Sequence, residues 1–327
     1  MEKISMNRKY ALCVALLAAQ GFSSTYINAA ENIKPAGPIG GTDIRQAILP
    51  PPGVYGVGIG VGLGFPEYWT EDEDLDAKGG SRIFGVGGAI VYDMEVFGGN
   101  IASTAFASYE RTCFGFKGGK KMCSEGQGDI YSDVLMWSRN FPLGYERSQS
   151  APWIPYGLNV LVGLGVTLPT GKYDSSKMVN VSANVYDFAP NVALTYIVPS
   201  IFGDQFGDAT EFSARVFYNK YTENHDTDYQ TGDLVSMDFA VSQRFGQWQV
   251  GLAGTGFVQI EDDDINGFTP PNNGNRAKSL SLGPVVSYDF MWDDNPWNFT
   301  FKGLAGIDGE NTASARGVVL KLGRKFW

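Results

Sequence analysis

The sequence predicts an all-β protein: a transmembrane antiparallel up-and-down β-barrel of about twelve strands. Three observations carry this. Apolar residues recur at every second position from Val54 almost to Trp327, the period of a strand with one apolar face. Helical periodicity is almost absent, and no run beyond the N-terminal leader reaches the roughly eighteen apolar residues of a spanning helix. The connections alternate long and short, as they do in outer-membrane barrels. A soluble β-sandwich has no reason for that asymmetry.

The first thirty residues read as a secretory signal. Lys3, Arg8 and Lys9 make a basic start, "YALCVALLAAQGF" is apolar, and Ala29 and Ala30 offer a cleavage point. Residues 31–52 show no strand pattern, and Pro50, Pro51 and Pro52 stiffen their end. This segment is expected on the periplasmic side, with "DIRQAIL" inserting into the barrel as a hatch. Its bland alternative is a disordered leader. The barrel proper is expected over residues 53–327.

The strands are expected to begin near residues 54, 83, 101, 129, 154, 186, 209, 233, 247, 277, 296 and 314. The first, "VYGVGIGVGLGF", alternates glycine with apolar residues. The expected orientation puts Tyr55, Val57, Ile59, Val61, Leu63 and Phe65 toward lipid, with Gly58, Gly60 and Gly62 lining the lumen. "YGLNVLVGLGVTL", "MDFAVSQRF", "WQVGLAGTGFVQI" and "LSLGPVVSYDF" each carry one apolar and one polar or tiny face. With the apolar faces on lipid, the lumen receives Glu211, Arg215, Asn219, Asp238, Arg244, Asp289, Lys302 and Lys321. Mixed charges of this kind either pair with one another or line a water path.

Long connections such as "PEYWTEDEDLDAKGGSR" and "EDDDINGFTPPNNGNR" alternate with tight ones such as "FGGN" and the "GQ" before Trp248. A periplasmic N-terminus sends every long loop outside, including the one with Cys113 and Cys123. Two close cysteines in an exported chain predict a disulfide. Aromatics at strand ends (Tyr55, Phe65, Trp137, Trp153, Trp248, Trp292, Trp297, Phe326) suit interfacial girdles. The final strand "GVVLKLGRKFW" ends on aromatics, the form that barrel-assembly machinery reads.

Several stretches resemble a known family. "GTDIRQAILPPPGVYG", "LPTGKYD", "TENHDTDYQTGD", "GLAGTGFVQIEDDD", "GNRAKSLSLGPVVSYDF" and "LKLGRKF" are similar, in the same order, to outer-membrane barrels named for a meta-pathway of phenol degradation. The resemblance implies an outer-membrane barrel associated with aromatic catabolism and names no solute. Trp327 extends beyond the Phe that usually ends such chains, and the cysteine-bridged loop is a departure.

Composition bounds the chemistry. The formal charge is −10, with no Lys/Arg-rich patch, which argues against a nucleic-acid partner. "GVGIGVGLG" holds period two and precedes no helix, so it is not a dinucleotide loop. His225 is the one histidine. With Asp226 and Asp228 it invites a rim hydrolase, but no serine nucleophile or paired-carboxylate motif accompanies it. No catalytic residue, metal or cofactor is expected. The acidic runs Glu71–Asp74 and Glu261–Asp264 read as solvated loops that could bridge divalent cations to lipopolysaccharide. The expectation is passive uptake of small, hydrophobic or aromatic molecules through a bacterial outer membrane, with lipid, lipopolysaccharide and the assembly machinery as partners. The rival is a structural or adhesive barrel with a plugged lumen.

Overall fold

The computed structural model describes residues 34–35, 43–145, 154–270 and 273–327. The secretory leader, with its expected cleavage at Ala29 and Ala30, lies outside them. Twelve long strands follow in order: Gly53–Gly64 (β1), Gly80–Val96 (β2), Gly99–Phe114 (β3), Ile130–Phe141 (β4), Gly157–Leu168 (β5), Asp187–Pro199 (β6), Ala209–Tyr221 (β7), Leu234–Phe245 (β8), Trp248–Gln259 (β9), Lys278–Trp292 (β10), Asn295–Glu310 (β11) and Arg316–Lys325 (β12). Each begins within three residues of the position read from the sequence. Every strand pairs antiparallel with its neighbours, and β1 pairs with both β2 and β12. The sheet therefore closes. Closure is what hydrocarbon demands, because an open edge would leave a row of unpaired amides and carbonyls there.

The seam is tied at its end as well. The Val54 amide donates to the Trp327 carbonyl at 2.8 Å, and the Phe326 amide donates to the Val54 carbonyl at 2.8 Å. A Cβ on Gly56 would collide with the Phe326 ring. Glycine there lets the penultimate aromatic lie across the seam.

One end of the barrel carries the two-residue turns 97–98, 246–247 and 293–294 together with the longer connections 142–156 and 200–208, and the other carries the long loops. At the turn end, Asp293 and Asp294 both adopt positive φ (52° and 56°), as do Phe97 and Gly98 (51° and 71°). That pair of left-handed residues matches the twist of a hairpin. At the loop end, Cys113 and Cys123 face each other across a pairing between β3 and the short strand Met122–Gln127, and they form a disulfide. Glu67–Trp69, Asp74–Asp76 and Thr312–Ala313 make a small sheet above the mouth.

The strand faces separate along β5 to β12. Val192, Leu194, Val250, Leu252, Leu320 and Leu322 are exposed, while Ala193, Thr195, Gln249 and Ala253 between them are buried. The exposed set forms the lipid face.

β1 overturns one expectation. Gly58, Gly60 and Gly62 stand opposite Leu322, Leu320 and Val318 on β12, and Gly58 and Gly60 stand opposite Val86 and Phe84 on β2. Directly opposed residues of an antiparallel pair share a face. Those partners are exposed, Phe84 at 66% and Leu320 at 43%. The glycines therefore lie on the lipid side and do not line the lumen. Val57, Ile59 and Val61 point inward, with Ile59 only 6% exposed. An alternation of glycine and apolar residues fixes the strand but not its polarity, because neither set is excluded from lipid. Ile83, Ala89 and Val91 of β2 and Ala102 of β3 share the inner side. Gly85 and Gly87 also face in, and a Cβ on Gly85 would run into the Phe106 ring. The inner wall over β1 and β2 is thus largely apolar, while β3 adds Thr104, Ser108 and Glu110 to its inner face.

A tryptophan at Gly60 should be quenched by lipids brominated along the acyl chain, and one at Ile59 should not, each read as the difference from the parent protein. Quenching at Ile59 with none at Gly60 would reverse the assignment.

Candidate functional site: the occupied lumen

The inner wall opposite β1 and β2 is polar, and a length of the chain's own N-terminal segment is bonded to it. Residues 43–49 sit inside the barrel, with Asp43 and Ala47 almost wholly buried. They form a tight turn in which Arg45 adopts φ 60°. A turn inside a barrel has no strand to pair with, so its amides need other acceptors. The wall supplies them. The Arg45 amide donates to Glu211 Oε1 at 2.6 Å, the Gln46 amide to Ser213 Oγ at 3.2 Å and the Ala47 amide to Thr195 Oγ1 at 3.1 Å. Ser138 Oγ donates to the Ala47 carbonyl.

Apolar side chains of the segment fill the remaining gaps. Ala47 and Leu49 pack with Val91, Ala102, Met136, Leu161 and Ala193. Ile48 packs on Ile154, Tyr156, Ile197 and Ala209, and Ile44 on Ala240, Ala253 and Val285.

Charge pairing completes the attachment. The Arg45 guanidinium grips Asp289 through two bonds, 3.0 and 3.2 Å. Arg244 reaches the same carboxylate at 3.1 Å and donates to Gln249 Oε1 at 2.7 Å. Gln249 Nε2 donates to Glu211 Oε2 at 2.8 Å, and the other oxygen of Glu211 holds the Arg45 amide. The circuit is closed: Arg45, Asp289, Arg244, Gln249, Glu211 and back to Arg45. Farther in, Lys302 donates to Asp43, and both are within 2% of full burial.

The charged positions read from the sequence all lie inside the barrel, but they play different parts. Glu211, Arg244, Asp289 and Lys302 bind the N-terminal segment. Lys321 lies within electrostatic reach of Asp43 and Asp238, and Asp238 is fully buried. Arg215 instead pairs with Asp133 at 2.7 Å and donates to Asn191, above the Phe217 ring. Asn219 donates to the Leu234 carbonyl and Ser236 Oγ. Asp43 and Arg45 belong to the "DIRQAIL" stretch expected to enter the barrel, but nothing in the sequence names their contacts, and Lys302 stands 259 residues from Asp43. Thr195, Ser213 and Gln249 follow the inward parity of their strands, whereas Asp133 and Ser138 lie in a strand of mixed parity.

The chain matches the model of the family described as "Putative MetA-pathway of phenol degradation" over residues 70–322. The chain belongs to this family. The match begins after residues 43–49 and β1, so the plugging segment lies outside the part of the chain that the family model describes. No curated protein sequence matches the chain. Among solved structures, it is similar to the COG4313 outer membrane channel from Pseudomonas putida F1, at 12% identity and TM-score 0.67. The alignment covers 90% of this chain and all of that one. The beta domain of the Bordetella autotransporter BrkA aligns at 10% identity and TM-score 0.45, covering 84% of this chain and 99% of that one. The first likeness shows a shared barrel fold.

The rim carries less. His225 is 89% exposed at its side chain, with Glu223 at 3.9 Å, and Asp226 accepts from Asn184. Asp228 occupies a left-handed turn position, φ 51°. Among the described residues no three His, Cys, Asp or Glu side chains converge as a metal site.

Removing one partner of a buried ion pair strands the other without a counter-charge. Lys302→Met should therefore lower folding stability by roughly 3–5 kcal/mol, read as the urea midpoint of the barrel in detergent. Adding Asp43→Leu should restore most of the loss. A double variant as weak as the single would show that the two are not coupled.

Proposed function

We propose that the protein is a bacterial outer-membrane channel for the passive uptake of small apolar molecules, aromatic compounds among them. The observation that carries this is the two-sided interior. The inner wall over β1 and β2 presents Val57, Ile59, Val61 and Ile83, while β4–β11 present the bonded polar groups that hold residues 43–49. Val57, Val61 and Ile83 keep partial access to solvent, so the space beside them is not packed solid. A flat apolar solute crossing between plug and wall would slide along side chains that ask nothing of it in hydrogen bonding. The polar wall is committed to the plug.

Family membership and the barrel shared with the P. putida outer membrane channel support an outer-membrane setting, with the turn end in the periplasm as barrels of this type are oriented. Flux through such a channel follows the solute gradient. Residues 43–49 act as a hatch whose seating limits the open cross-section.

Deleting residues 31–48 should raise single-channel conductance severalfold, since about twelve strands enclose room that the plug now fills. It should also speed the entry of toluene-sized solutes into proteoliposomes. Unchanged current and unchanged flux would favour the rival reading, a structural barrel whose loops are the working surface.

A further inference from the structure

A second cavity lies at the loop end, beyond the hatch, between the mouths of β3–β7. Glu110, Asp129, Tyr131, Asp187 and Tyr221 line it, and Lys34 of the N-terminal segment enters it. Among the described residues, two of its three carboxylates are engaged by side chains of the protein. Asp129 accepts from the Gly171 and Ala183 amides and from Ser182 Oγ. Glu110 accepts from Ser108 Oγ at 2.7 Å and pairs with the Lys34 ammonium at 3.5 Å. Lys34 also donates to the Val181 carbonyl, and Tyr221 donates to the Lys34 carbonyl at 3.1 Å. Asp187 is 2% exposed, yet among the described residues no side chain donates to its carboxylate, which has only the Lys220 main-chain amide close by.

A buried carboxylate short of donors is costly, so its presence in a cavity wall marks a place where a donor is missing. The surroundings say which donor fits. Three carboxylates line the cavity against one lysine, so a cationic donor is favoured over a neutral one. Phe106, Tyr131 and Tyr221 add aromatic surface, which suits both an apolar body and a cation over a ring face. The chain already places one ammonium group here, that of Lys34, on the Glu110 side. The Asp187 side is left open.

We propose that this cavity binds a small protonated amine carrying an apolar or aromatic body. The ammonium hydrogen-bonds and pairs with Asp187, the body lies among the aromatic rings, and Lys34 competes for the same negative field. The site stands apart from the hatch contacts, and its occupancy does not require that the hatch open.

The test is calorimetric titration of the full chain in detergent micelles with 2-phenylethylammonium and its neutral counterpart 2-phenylethanol. At low salt the ammonium should bind about tenfold more tightly, the gain expected of one charge-assisted pair, and added salt should narrow the gap. Asp187→Asn should abolish the preference. Lys34→Met should tighten ammonium binding severalfold by removing the internal competitor. That variant lies outside the barrel wall and keeps the proposal testable if Asp187→Asn fails to fold. Equal binding of the two probes, a preference that survives Asp187→Asn, or no gain with Lys34→Met would each overturn the site. Binding is read here without flux, so its failure would leave the channel reading standing.

Discussion

A main chain in hydrocarbon must pair every amide and carbonyl, and this constraint organises the whole molecule. The strands meet it by closing on themselves, and the ends of β1 and β12 extend the closure through Val54, Phe326 and Trp327. The same requirement governs the lumen. Residues 45–47 enter the barrel without a strand partner, and their amides are taken up by Glu211, Ser213 and Thr195. These acceptors are side chains of the polar face, so the polar face exists as much to hold a backbone turn as to meet water.

Charge follows the same logic. Arg45, Arg244, Asp289 and Glu211 could not lie in a barrel interior singly, because taking an ion out of water costs several kcal/mol. Arranged as a circuit with Gln249, each meets an opposite charge or a donor aimed at it. An ion pair inside a barrel is weak evidence of added stability, but it is good evidence of position. Two guanidinium groups on one carboxylate fix where Arg45 sits, and Lys302 fixes Asp43. The wall over β1 and β2 carries no comparable charged groups, and the segment meets it through apolar contacts, Ala47 and Leu49 packing in one cluster with Val91 and Tyr55.

Much of this was legible in the sequence. Period-two patterning located most of the strands, because a barrel strand must change environment at every residue; "NIASTAFASYE" and "DIYSDVLMW" have mixed parity, and the strands they form, β3 and β4, each carry a register shift. On β7–β12 the inward set was readable too, since charged residues cannot face acyl chains. β1 failed for a specific reason. Glycine and valine are both tolerated on either side of a membrane strand, so the pattern had two equal solutions. Only the register with Val318, Leu320 and Leu322 distinguishes them. The partners of Asp43 and Arg45 were beyond reach in another way. Nothing local in "TDIRQAIL" says which of many inward polar residues it will meet, because that depends on how the closed barrel places β10 and β11 across from β7.

The inversion of β1 changes what the rest of the N-terminal segment can do. Pro50, Pro51 and Pro52 join the hatch to β1, and the barrel holds this linker in place: Tyr55 donates to the Pro51 carbonyl at 2.6 Å, and Lys325 donates to the Pro52 carbonyl at 3.0 Å. Three prolines restrict the chain to a stiff extended form. The plugging segment is therefore tethered at the foot of the strand whose inner side chains, Val57, Ile59 and Val61, form the apolar wall. On the channel reading proposed above, a displacement that breaks the Arg45 and Asp43 pairs carries the segment relative to that wall while Pro51 and Pro52 stay held. With glycines lining the lumen, such a motion would open onto bare backbone. With the glycines on the lipid side, it would open onto the apolar side chains of β1 and β2.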